Sequence, residues 1–237
     1  MKNRLVDTAL LLWLSLRLQL GKRFWAVPLL VLAWPAFQAL ALVAGWSDGG
    51  FEPEDAQNVL IGIPLVVLAI GLGVRIIAGE IEQRTLEVTY TVPGGARRVW
   101  ISKILAAILL LAVAQGLLAI VAAAFFVPYP ATALYGALQA AVVYLVLAMG
   151  LGALLRSEIT ALLVVSVVLL MNGLMTGFGG LQTRLSPFFN PLAVDEENQA
   201  ELLAWTIQNR IGMALLILAL IALACVRAER REELLRA

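Results

Sequence analysis

Residues 104–127 read ILAAILLLAVAQGLLAIVAAAFFV, residues 128–131 read PYPA, and residues 132–155 read TALYGALQAAVVYLVLAMGLGALL. Neither long run contains Asp, Glu, Lys or Arg. Each is long enough to cross a hydrocarbon layer about 30 Å thick as one helix rising about 1.5 Å per residue. Pro128 and Pro130 cannot continue a helix, so the short connection is a tight turn between antiparallel membrane helices. A chain whose middle is a hydrophobic hairpin of this length reads as an all-α polytopic membrane protein.

The same pattern extends in both directions. Arg156, Ser157 and Glu158 form a second short turn, leading into a span at 159–178. Upstream, charge-free or nearly charge-free runs place spans at 24–46 and 58–77, and downstream another at 204–226. The spans expected are therefore 24–46, 58–77, 104–127, 132–155, 159–178 and 204–226. In the first, Trp25 and Trp46 serve as interfacial anchors, with a bend or unwinding near Pro28 or Pro35. Residues 1–23 repeat Leu5, Ala9, Trp13, Leu16 and Leu20 at helical spacing, with Arg4, Thr8, Ser15, Gln19 and Lys22 on another face. That is an amphipathic interfacial helix rather than a cleaved leader, because Arg17 interrupts its apolar run. The 237 residues form a single transmembrane domain.

Composition narrows the function. With 62% hydrophobic and only 14% charged residues, the chain is far more apolar than a soluble domain. The absence of His removes the commonest general base and metal ligand, and a single Cys excludes an internal disulfide. No G-x-x-x-x-G-K-[ST] phosphate loop occurs. The Asp residues all lie outside the spans, and Ser166 has no Lys or His at its depth to activate it. No catalytic residue, metal site or cofactor is therefore assigned to this chain.

Charge gives an orientation. Lys2, Arg4, Arg17, Lys22, Arg23, Arg75, Arg84, Arg97, Arg98, Lys103, Arg156, Arg227, Arg230, Arg231 and Arg236 fall on one side of the expected spans. Only Arg184 and Arg210 fall on the other, with eight of the sixteen acidic residues. The positive-inside rule then places both termini in the cytoplasm of a cell (plasma or inner) membrane. The formal charge of +1 hides this asymmetry, which speaks for orientation and not for a nucleic-acid partner.

Within the spans, Gln38, Gln115, Gln139, Asn172, Thr176, Gln208 and Asn209 are the amides and hydroxyls that stand out. They either bond neighbouring helices or touch a substrate, and Gln115, Gln139, Asn172 and Thr176 are the candidates for a substrate pathway. Arg210 is expected to snorkel to the interface. Ala148 with Gly152, and Gly173 with Gly177, have the spacing that lets helix backbones approach closely. At the end of the fifth span and in 179–203, Phe178, Leu181, Leu185, Phe188, Phe189 and Leu192 are costly to expose, so the stretch to Pro191 is expected to dip back among the spans. The acidic run 195–201 stays in water.

Residues 79–103, GEIEQRTLEVTYTVPGGARRVWISK, form the largest segment on the basic side. A short helix there would set Glu80 and Arg84 one turn apart, ending at Pro93, Gly94 and Gly95 before a basic turn. The alternative is a solvated loop with interfacial Arg and Trp100. The succession Glu80, Arg84, Thr85, Leu86, Glu87, Pro93, Arg97, Arg98 and Lys103 resembles the type-two permeases of ATP-binding cassette exporters. Pro187, Phe188, Phe189, Asn190 and Pro191 are similar to that family's Asn-Pro-containing extracellular segment. The resemblance covers nearly the whole chain.

It implies six transmembrane helices with an N-terminal amphipathic helix, a cytoplasmic coupling helix and an extracellular re-entrant segment. It further implies a half-size permease, working as a homodimer among membrane lipids and exporting an amphiphile such as a lipid, glycolipid, peptide or drug-like molecule. ATP and Mg would be held by separate ATPase subunits. Arg84, Thr85, Leu86, Glu87 and Val88 would couple to that ATPase, with Glu80, Pro93, Arg97, Arg98 and Lys103 in support. Two other classes remain open on the residues alone: a non-transporting membrane scaffold or immunity component, and a secondary carrier.

Overall fold

The computed structural model describes residues 14–15, 26–46, 50–85, 95–178, 184–194 and 199–229. Among them no strand occurs, and six long helices account for most of the chain. They are α1 (Ala26–Val43), α2 (Pro53–Glu82), α3 (Gly95–Phe125), α4 (Ala131–Leu155), α5 (Glu158–Phe178) and α6 (Gln199–Glu229). All but α1 are long and apolar enough to cross a membrane, the hallmark of a multi-pass membrane protein. The described helix of the first expected span runs uninterrupted through Pro28 and Pro35 and is shorter than the rest. Most of the amphipathic stretch 1–23 lies outside the described residues.

Several helices outrun the limits expected of them. A hydropathy reading stops at the first charge, whereas a helix stops where its backbone is capped. α2 starts at Pro53, whose fixed φ and missing N–H suit a first turn, and Asp55 Oδ2 accepts the Glu52 N–H at 2.9 Å. Glu54 and Asp55 are thus helical and not loop. α2 then passes through a π-helical stretch, Ala56–Gly62, before resuming α geometry at Ile63. α3 begins at Gly95, so Arg97 and Arg98 sit in its opening turns instead of in a basic turn ahead of it. α6 begins at Gln199, which brings Glu201 into a helix. The two short connections are as the prolines and the Arg-Ser pair foretold: α4 starts at Ala131, and α4 ends in a left-handed Arg156 at φ 57° whose N–H bonds Gly152 O.

Packing centres on α2 and α4. The apolar window of α2 is 78% buried, against 11% for α5, so α2 is central and α5 peripheral. Close approach explains the α2–α4 pairing. A Cβ at Gly73 would collide with the Leu145 carbonyl and the Ala148 Cβ, and one at Gly152 would press on Ala78 at 3.3 Å. Ala148 and Gly152 therefore do line a tight helix contact, while Gly173 faces open space. Leu60, Ile61, Leu65, Ile76, Leu111, Leu145 and Met149 fill the core around this seam. The exposed Ile159, Leu163, Val167, Leu170 and Met175 of α5 suit a lipid environment.

Candidate functional site

Polar side chains gather at both ends of the bundle, and they do different work. At the basic end, α2 finishes in a Schellman motif: Arg84 N–H bonds Ile81 O at 3.1 Å and Thr85 N–H bonds Glu80 O at 3.0 Å. Arg84 occupies the left-handed position at φ 55°, where Gly is usual. The expected short helix carrying Glu80 and Arg84 one turn apart is thus corrected, because Glu80 belongs to the last turn of α2 and Arg84 lies past its end. Leu86, Glu87, Val88 and Pro93 lie outside the described residues.

Glu80, in the last turn of α2, is buried and does not pair with Arg84 as its spacing suggested. Its Oε1 accepts from Lys103 Nζ and its Oε2 from Trp100 Nε1 at 3.0 Å. Trp100 is fully buried, which replaces the expected interfacial position, and Lys103 is nearly so. Three residues apart on α3, Trp100 and Lys103 share the face that meets α2. Arg97 and Arg98 are exposed. Beside this clamp, Glu82 Oε1 accepts the first N–H of α5, Glu158 N, at 2.8 Å, and Glu158 lies 3.7 Å from Arg75. The last turn of α2 is thus joined both to the first turns of α3 and to the start of α5.

At the opposite end, residues 184–194 are inserted among four helices. Ser186, Phe189 and Asn190 are buried, Pro187, Phe188 and Pro191 partly so. Leu185 and Leu192 are exposed, against the expectation that every apolar residue here turns inward; both suit contact with lipid. The helical content of the insert is one 3₁₀ turn, Pro191–Ala193, capped by Asn190 through Leu192 N at 3.1 Å. Amides hold it from every side. Gln57 Nε2 donates to Phe189 O at 2.9 Å, and Asn190 Nδ2 to Glu54 O at 2.8 Å. Asn209 Nδ2 donates to Arg184 O at 2.8 Å and Ser186 O at 2.9 Å, while Ser186 Oγ donates to Asn172 Oδ1 at 3.2 Å. Phe188 packs on Tyr144, with ring centroids 5.8 Å apart.

The pathway candidates take part in this network. Gln139 Nε2 donates to Asn209 Oδ1 at 2.9 Å, and Asn172 Nδ2 to Tyr144 OH at 3.4 Å. Gln115 lies apart from the insert, its Nε2 bonded to Leu134 O near the start of α4. The side chain of Thr176 lies outside the described residues. Gln57 is not among the sequence candidates because it stands just ahead of the 58–77 span, behind Glu52, Glu54 and Asp55. Its recognisable signal was an amide at the threshold of an apolar run. Gly136 makes room for it, since a Cβ there would overlap the Gln57 amide. Two amide oxygens, Gln57 Oε1 and Gln139 Oε1, are buried without a hydrogen-bond partner.

Among the described residues no cluster of His, Cys, Asp and Glu could hold a metal. The described polar residues form a clamp at one end of the bundle and a hydrogen-bonded insert at the other. No family model, curated protein or solved structure matches the chain.

Proposed function

We propose that this chain is the membrane permease subunit of an ATP-binding cassette exporter. Two copies form the pathway for an amphiphilic substrate, and separate ATPase subunits that carry ATP and Mg dock on the segment between Thr85 and Gly95. The termini and that segment face the cytoplasm in this reading, and the 184–194 insert faces outward as a re-entrant segment. The observation that carries it is the Glu80–Trp100–Lys103 clamp. A force applied to the 86–94 segment reaches α2 and α3 together, and α2 is the most deeply packed helix, so a docked motor moves packed helices as bodies.

The resemblance of 80–103 to the permease coupling region, and the large share of apolar surface left on α5 for lipid or a second copy, support the same assignment. The test is co-purification with an ATP-binding cassette ATPase from the same cell, followed by ATP hydrolysis in liposomes. Leu86→Asp and Glu87→Arg, compared at equal membrane abundance, are expected to abolish ATPase association while the permease still inserts. If both variants bind the ATPase and support hydrolysis at wild-type levels, the segment is only a connection and the assignment fails. A native mass showing one permease chain in the active preparation removes the dimer.

A further inference from the structure

Arg210 lies well inside α6, yet none of the ion pairs among the described residues includes it; they are Arg75–Glu158, Lys103–Glu80 and Arg184–Glu201. Its one defined contact is the face of Tyr135, with Cζ 4.7 Å from the ring centroid, and its Nη1 is buried without an acceptor. A guanidinium in an apolar span is costly unless an anion or a set of oxygens meets it. Asn209, its neighbour, has its amide fully engaged with Arg184 O, Ser186 O and Gln139.

We propose that Arg210 binds the phosphate of a membrane phospholipid, seated between α4 and α6 at the end of the bundle that carries the 184–194 insert. Three features point to a lipid. Tyr135 is about one turn from the start of α4 at Ala131, so the guanidinium reaches the depth of the headgroups, about 6 Å inside the helix end. Tyr135 is itself more than half exposed, which leaves the approach from the bilayer open. Below Arg210, the exposed Ile211, Leu215, Leu218 and Ala222 follow one face of α6 at helical spacing. This stripe covers about 16 Å, close to the depth of one leaflet, and gives acyl chains a continuous apolar track. A planar guanidinium matches two phosphate oxygens at once. The site does not depend on the transport assignment.

The test is native mass spectrometry of the full chain in detergent, titrated with dioleoylphosphatidylglycerol, with dioleoylglycerol as the same chains without phosphate, and with inorganic phosphate. The wild type is expected to bind the phosphatidylglycerol at least about tenfold more tightly than the diacylglycerol, since charge-assisted hydrogen bonds are at stake. Arg210→Met should erase that preference, and Arg210→Lys, which keeps the charge but loses the fork, should retain part of it. Equal binding of the two lipids by the wild type, or an unchanged preference in Arg210→Met, overturns the site. Displacement of the lipid by inorganic phosphate makes it a free-anion site and overturns the lipid assignment. If Arg210→Met does not fold, the wild-type comparison and Arg210→Lys still decide.

Discussion

Arg84 and Arg156 both hold left-handed backbone conformations, which cost an L residue roughly 1–2 kcal/mol relative to Gly. Arg84→Gly and Arg156→Gly should each therefore raise the unfolding free energy by about 1 kcal/mol, read as a higher thermal midpoint in detergent. An unchanged or lower midpoint in both refutes the strain. The buried Glu80–Lys103 pair gives the opposite sign. Removing one partner strands the other charge, so Glu80→Gln and Lys103→Met are each expected to cost about 3–5 kcal/mol. The double variant should cost less than the two singles added, and strict additivity would mean that the residues are not coupled. Both residues were visible in the sequence as members of a charged segment, but their pairing was not. Helical spacing favoured Arg84 as the partner of Glu80, and only the position of the helix stop, set by backbone geometry, turns Arg84 away.

The helices themselves were legible because apolar runs of spanning length admit few other structures in lipid. Their limits were not, since Pro53, Gly95 and Gln199 start helices among charges that a hydropathy reading assigns to loops. The π-helical stretch, Ala56–Gly62, had no sequence signature at all. It places Gln57 against Gly136, and that contact is testable at this scale. Gly136→Ala should destabilise the α2–α4 seam by about 1–3 kcal/mol, and Gln57→Ala in the same chain should recover part of the loss by vacating the space. No recovery would place the strain elsewhere. The turn before α4 carries a pH-dependent tie: Tyr129 OH donates to Ala119 O at 2.7 Å, and burial raises its pKa above the usual value. A raised folded-state pKa means that this stabilisation is complete below about pH 10 and fades as pH rises through the folded value. Tyr129→Phe should cost about 0.5–1.5 kcal/mol near neutral pH and remove that part of the alkaline loss of stability. Melts of the two proteins that stay parallel into the alkaline range would contradict this.

For the whole molecule, the charge asymmetry yields a prediction about sidedness. In a Cys225→Ala background, a cysteine placed at Gly50 should react with an impermeant thiol reagent from outside intact cells, and one placed at Gly95 should not. Labelling at Gly95 from outside would invert the orientation and remove the cytoplasmic docking of an ATPase. Gly50 precedes α2 and Gly95 follows it at the start of α3, so the pair samples the two ends of α2.

The amides that hold the 184–194 insert also impose an order on biosynthesis. The insert leaves the ribosome before α6, yet the carbonyls of Arg184 and Ser186 find their donor in Asn209, well within that last helix. Gln139, two helices earlier, likewise waits for Asn209. Until α6 enters the membrane, these groups have to be served by water or by the translocation machinery. The final helix therefore completes the docking, and a nascent chain arrested short of it would hold its insert only through Glu54, Gln57, Tyr144 and Asn172, more open to proteases than the finished protein.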